Sequence, residues 1–216
     1  MNWDPDIYDP ACRRCPRLSL HLGEIRNRFP DYFARPVPPF GAAQPRLLVV
    51  GLAPGLHGAN ASGRPFSGDF AGVLLYRTLH EFGLGSRPLS AGPGDGLRLR
   101  GVRITNAVKC LPPANRPTGA EMRECNAFLQ AELNSLKRPL VVLALGHVAH
   151  AAVLRAWALR ASRFRFAHAR VHAVDPGTWL VDSYHCSRYN TQTGRLTEAM
   201  FRDVFHIVMK LIDRMI

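Results

Sequence analysis

The chain is 216 residues long, 47% of them hydrophobic, with 28 Lys and Arg against 16 Asp and Glu for a net charge of +12. That length holds one well-buried α/β domain and falls short of two full-sized ones. No run of 18 apolar residues occurs, and "MNWDPDIYDPACRRCPRL" lacks the apolar core of an export signal. No membrane partner is therefore expected, and the expected compartment is the cytoplasm or the nucleoid within it. The excess charge is mostly arginine, which suits bidentate and stacking contacts to phosphate. A polyanionic partner is indicated, with a merely basic enzyme as the alternative.

In chain order, a Cys12-x-x-Cys15 pair beside Arg13, Arg14 and Arg17 comes first, followed by a Pro-rich connector, "PVPPFGAAQP", at 36–45. Four short runs of Val, Leu and Ile predict strands at 46–52, 102–107, 140–145 and 179–184. Helical spacing predicts helices over about 70–83, from the capping-box signature Thr118-x-x-Glu121 through Leu133, over 147–159 and over 197–216. Strands alternating with helices imply a parallel sheet covered on both faces, with ligands gathering at the carboxyl ends of its strands. Those ends are Gly51–Gly55, Asn106, Gly146 and His185, where the unusual polar residues cluster.

Cys12, Cys15, Cys110 and Cys125 supply four thiolates, enough for a tetrahedral zinc or a [4Fe–4S] cluster. The spacing does not choose between the metals, and Cys110 and Cys125 also read as ordinary buried cysteines. Cys186 adjoins His185, but neighbours on an extended segment point to opposite sides, which argues against a nucleophilic Cys–His pair.

The segments "CRRC", "GLAPGLHGANASGRPFSGD", "ITNAVKCLPPAN", "ALG" and "SYHCSRYNTQTGRLT" stand in one order along the chain. In that combination the chain resembles the uracil-DNA glycosylase superfamily, and within it the type B, or family 5, enzymes. The resemblance covers nearly the whole chain. It implies a three-layer αβα fold around a four-stranded parallel sheet, forming one domain over 1–216. It further implies a [4Fe–4S] cluster on Cys12, Cys15, Cys110 and Cys125, two of them supplied by an extension at 1–45.

The implied activity is a monofunctional DNA glycosylase that removes uracil and other deaminated bases, such as hypoxanthine, and leaves an abasic site. DNA is then the partner, and a monomer is expected. A non-catalytic iron–sulfur protein that recognises damaged DNA is the alternative. Better-known superfamily members carry Asp and Tyr as the third and fifth residues of the first loop, where this chain has Ala53 and Gly55. Two further departures are Cys186 after His185, where relatives have proline, and Ala61-Ser62, where relatives often have Arg-Thr.

By resemblance, Asp69 activates water or steadies the sugar cation, and Phe66 stacks on the extruded base, with a core aromatic as the plainer reading of Phe66. Asp69 also reads as a helix N-cap, and the two roles are compatible. Gly51, Ala53 and Gly55 are expected to bring backbone up to the base edge. Asn106 presents an acceptor and donors in a fixed fork that match a ring N–H beside a carbonyl. That edge belongs to uracil and hypoxanthine, so Asn106 would read deamination, and Gly55 would leave the pocket wide. Asn106 closing a turn is the plainer reading. His185 would donate to the base carbonyl and stabilise the departing anion. Residues 188–196 read as a polar turn with Arg188, Asn190 and Arg195 on DNA and Tyr189 or Leu196 as a wedge. Arg155, Arg160, Arg163, Arg165 and Arg170 read as phosphate contacts or as a solvated face.

Overall fold

The structure, a computed structural model, describes residues 3–214. Its sheet runs β1 (Phe40–Gly41), β3 (Val102–Asn106), β2 (Leu47–Gly51), β4 (Leu140–Leu145), β6 (Thr178–Ser183) and β5 (Val171–Asp175), in that spatial order. The four expected strands form the parallel centre. The sheet has six strands rather than four, because a short antiparallel strand is added at each edge. β5 pairs with β6 across Asp175-Pro176-Gly177-Thr178, a turn in which Gly177 takes a positive φ of 77°. Its residues alternate between exposed and buried, as an edge strand's do, whereas the central strands are buried end to end.

Alternate residues of the central strands serve opposite faces. Leu47, Val49, Val141, Leu143 and Val181 pack under α3 (Phe70–Glu81) and α7 (Glu198–Asp213). Leu48, Val50, Val142, Ala144 and Leu180 pack under α4 (Gly119–Ser135) and α5 (His147–Ala156). These are the three layers. Helix α1 (Pro16–Arg28) sits outside them, burying Leu18, Leu22 and Ile25 against Val108, Leu111 and Phe128. The expected capping box is formed: Thr118 Oγ1 accepts from Glu121 N–H at 3.2 Å, and Glu121 Oε2 accepts from Thr118 N–H at 2.7 Å.

α5 stops three residues before the expected Leu159. Ala158 turns left-handed at φ 54°, and Leu159 N–H donates back to Leu154 O at 2.8 Å, closing the last turn. The last helix starts with Thr197 as its cap, and residues 215–216 of the expected span lie outside the described residues. No described helix is long and apolar enough to cross a membrane.

Two buried polar networks brace the sheet. Asp182, near the end of β6, bonds His150 Nδ1 of α5 at 2.7 Å and His172 Nε2 of β5 at 3.0 Å, fixing the strand that leads into His185. On the other side, Glu132 of α4 accepts from Lys109 Nζ at 3.3 Å and Arg103 Nη1 at 3.5 Å, all three buried. Deleting the shared anion would leave two cations unpaired in the interior. Glu132→Ala is expected to cost about 3–5 kcal/mol, read as a lowered urea midpoint at unchanged slope.

Candidate active site

The register of the central strands sets Gly51 opposite Asn106, so the carboxyl ends of β2 and β3 lie side by side. Leu145 of β4 is opposite Ser183 of β6, which brings His185 to the same edge. Asn106 is only 3% exposed, yet its Oδ1 has no hydrogen-bond partner among the described residues. A Cβ built on Gly51 would fall 2.5 Å from that oxygen and 2.6 Å from Phe66 Cζ. The missing side chain of Gly51 therefore makes the space in which the asparagine amide and the phenylalanine ring meet. A buried acceptor left unpaired costs about 1–3 kcal/mol, which a ligand's N–H donor would recover.

The chain reaches Phe66 through α2 (Ala59–Ser62), Gly63 and Pro65. Phe66 itself takes a left-handed φ of 60°, rare for a non-glycine residue. Its ring stacks on His185 with centroids 6.1 Å apart and planes at 26°. Two residues before the start of α3 comes Gly68 in a positive φ, and then Asp69, whose Oδ1 accepts from Gly72 N–H at 2.7 Å. Asp69 is thus the N-cap of α3. Its other oxygen faces the glycines: a Cβ on Gly55 would lie 3.9 Å from Oδ2, with nothing else within 4 Å. Gly55 and Ala53 are half-buried, and the space beside Gly55 is open. Burial pushes the Asp69 carboxyl above the usual aspartate range, partly offset by the Gly72 N–H.

His185 is half-buried after β6, and burial brings its imidazole down to about 4. The ring is neutral at neutral pH and can donate one N–H. Asn190 Nδ2 donates to His185 O at 2.8 Å, so this side chain holds the His185 loop while lining the cleft beside it. The expected polar turn holds a short capped helix, α6 (Arg188–Gln192), with Ser187 Oγ accepting from Asn190 N–H. Arg188 is exposed, and Arg195 lies over the Tyr184 ring at 4.8 Å on the cleft wall. Of the two wedge residues, Leu196 is fully buried in the core under α7 and is ruled out, while Tyr189 is 70% exposed. Arg155, Arg160, Arg163, Arg165 and Arg170 are all exposed. Cys186 is completely buried, its thiol pushed up by burial and then by the Asp69 carboxylate. It fills space beside the site rather than serving as a nucleophile.

Cys12, Cys15, Cys110 and Cys125 line one pocket between α1 and α4, and all are free thiols. Cys125 Sγ accepts from Lys109 N–H at 3.3 Å, and Arg14 stacks on Phe128 beside it. Burial, then neighbouring Cys125, raises the Cys15 thiol to about 11, and burial raises Cys110 and Cys125 too. Four such sulfurs are a soft, anionic donor set once a cation draws off their protons.

Residues 38–208 match the family model described as "Uracil DNA glycosylase superfamily". The chain belongs to the uracil-DNA glycosylase superfamily. Among curated relatives, it is 49% identical to a type-5 uracil-DNA glycosylase of Thermus thermophilus, covering 90% of each chain. It is 45% identical to one of Mycobacterium leprae (93% of this chain, 91% of the relative) and 42% identical to one of Pyrobaculum aerophilum (89% and 85%).

The motif residues of this superfamily member, Gly51, Phe66, Asp69, Asn106 and His185, converge on the carboxyl edge of the sheet. The reading from sequence missed Arg64, Ser90 and Asp95, which form a half-buried network beside the Phe66 segment. The acidic residue in "GPGDG" reads only as a turn.

A neutral buried histidine has a pH signature. Its folded value near 4 lies below the ordinary 6.5, so the unfolded chain takes up the proton first. Its contribution to stability is complete above about pH 6.5 and is lost as pH falls through that value towards 4. Between pH 7 and 5, the wild type is expected to lose about 2 kcal/mol more stability than His185→Asn, measured by urea unfolding at each pH.

Proposed function

We propose that this chain is a uracil-DNA glycosylase, a hydrolase that breaks the N-glycosidic bond of uracil in DNA and leaves an abasic site. The observation that carries the reading is the buried Asn106 Oδ1, without a hydrogen-bond partner among the described residues, packed with the Phe66 ring over the bare face that glycine leaves at 51. The asparagine accepts the ring N–H of an extruded base and donates from its amide nitrogen to the adjoining carbonyl. Cytosine presents the reverse pattern and leaves both groups unsatisfied. Phe66 stacks on the base, a contact worth roughly 1–3 kcal/mol. Neutral His185 donates an N–H to the base carbonyl as negative charge moves onto the leaving ring.

Asp69 draws a proton from water or steadies the developing sugar cation. The water oxygen bonds to the sugar C1′ as the C1′–N bond electrons leave with the base, and the base then takes up a proton. The cap bond to Gly72 fixes the direction in which the carboxylate points. No lysine stands in 51–69, and Lys109 is buried on Glu132. Strand cleavage through an amine nucleophile is therefore outside the proposal.

The same N–H-beside-carbonyl edge occurs in hypoxanthine, and the open space at Gly55 supports its admission. Tyr189, exposed on α6 between Arg188 and Asn190, takes the place of the flipped base in the duplex, with Arg188 and Arg195 on the backbone phosphates. The donor set at Cys12, Cys15, Cys110 and Cys125 fits a [4Fe–4S] cluster, which would pin the extension at 1–45 to the end of β3 and to α4. That group supplies structure and low-potential redox capacity when bound. The enzyme acts as a monomer of one domain, on the DNA of the cytoplasm.

Two measurements decide the reading. Asp69→Asn is expected to slow single-turnover uracil release from a duplex oligonucleotide by about 10²–10⁴-fold. The wild-type rate should fall on the acid side with a midpoint above the ordinary aspartate value of 3.8, since the ionised form is required. An unchanged rate in the variant removes Asp69 from the chemistry, and a wild type that binds DNA but releases no base removes the activity. For the cluster, the purified protein should be brown with about four irons per chain. A colourless protein with stoichiometric zinc would instead make the site a zinc tetrathiolate.

A further inference from the structure

Phe66 is held in a conformation its own backbone disfavours. A left-handed non-glycine residue persists only where its surroundings over-determine it. One restraint lies in α3: the Phe66 carbonyl oxygen would be 1.6 Å from a Cβ on Gly72, so the helix receives that carbonyl only because residue 72 is glycine. A second is Tyr76, whose hydroxyl donates to Pro65 O at 2.6 Å. The third comes from the Gly- and Pro-rich excursion at 86–98, which no part of the superfamily chemistry described above employs.

In that excursion Asp95 is the organising group. Its carboxylate accepts from Leu97 N–H at 2.9 Å, Ala91 N–H at 3.0 Å, Gly92 N–H at 3.3 Å and Ser90 Oγ at 3.3 Å. It also accepts from Arg64 Nη1 at 2.7 Å, with the two side chains 15% and 7% exposed. Arg64 Nη1 donates in addition to Ser90 Oγ at 2.9 Å, and the guanidinium is packed over the Phe40 ring at 4.2 Å. Ser90 Oγ in turn bonds Ser67 Oγ. Phe66 therefore lies between two residues, 64 and 67, that are tied, directly and through Ser90, to one half-buried carboxylate about thirty positions along the chain.

We propose that Asp95 is a positioning residue for catalysis, acting through Arg64 and the Ser90–Ser67 contact to hold the Phe66 ring at the angle at which it meets the base. Asp95 touches no substrate. The inference rests on the reading that Phe66 stacks on the extruded base. Neutralising the carboxylate removes the charge-assisted bond to Arg64 and loosens the anchors on both sides of Phe66. A reacting group displaced by about an ångström loses up to a hundredfold in rate.

The test is a double-mutant cycle on the iron-loaded enzyme: wild type, Asp95→Asn, Phe66→Ala and the pair. Two quantities are read, single-turnover uracil release and affinity for a duplex with a stable abasic analogue, which has no base to stack. Asp95→Asn alone should slow release about 10- to 100-fold and leave abasic-duplex affinity within about twofold. In the Phe66→Ala background, the same change should have little further effect, because the group through which Asp95 acts is gone. Partial unfolding would lower the rate by the same factor in both backgrounds, so multiplicative effects overturn the proposal. A silent Asp95→Asn, or one that weakens abasic-duplex binding as much as it slows release, overturns it as well. If Phe66→Ala itself leaves release unchanged, the stacking reading fails, and this proposal fails with it; a slow Phe66→Ala with multiplicative Asp95→Asn sinks the proposal alone.

Discussion

The contact between a glycine and an asparagine on adjacent parallel strands underlies the site. The β2–β3 register places Gly51 against Asn106, and the absent side chain keeps an amide oxygen buried without satisfying it. Such an arrangement is unfavourable for folding and useful for recognition, because the same low-dielectric setting that penalises an empty acceptor strengthens a filled one. The sheet is what makes the penalty tolerable. Its central strands are buried throughout, and the layers of helices above and below leave their carboxyl ends little freedom to relax.

Around that contact, the side chains do more than one job. Asp69 caps a helix and turns its second oxygen towards Gly55 and Gly58. Asn190 joins the loop that would face DNA to the backbone of His185. Asp182 ties α5 and β5 to the strand that leads into His185. Asp69 and His185 are therefore each braced by a bond to a different element, α3 and α6.

Much of this was legible in the sequence. The central strands announce themselves as continuous apolar runs, and the Thr118–Glu121 box marks the start of α4 to the residue. The edge strands were not legible for two different reasons. β1 is two residues long and carries no pattern, whereas β5 is a short polar-and-apolar run directly after an arginine-rich stretch that reads as a solvated face. Ala158 ended α5 early without the glycine that usually marks such a stop. Motif residues at strand ends were found because topology sends them to one edge. The choice between Tyr189 and Leu196 was not, since it depends on how α7 packs over the sheet. Arg64 and Asp95 escaped because their bond joins positions 31 apart through a loop with no regular structure.

The double duty of Asp69 shapes how an enzyme of this kind can diversify over generations. The first turn of α3 leans on it, so under the proposed chemistry a change at 69 would disturb folding and reaction together. Gly55 is freer to vary, because a Cβ there would meet only Asp69 Oδ2, at 3.9 Å, and would leave the cap in place.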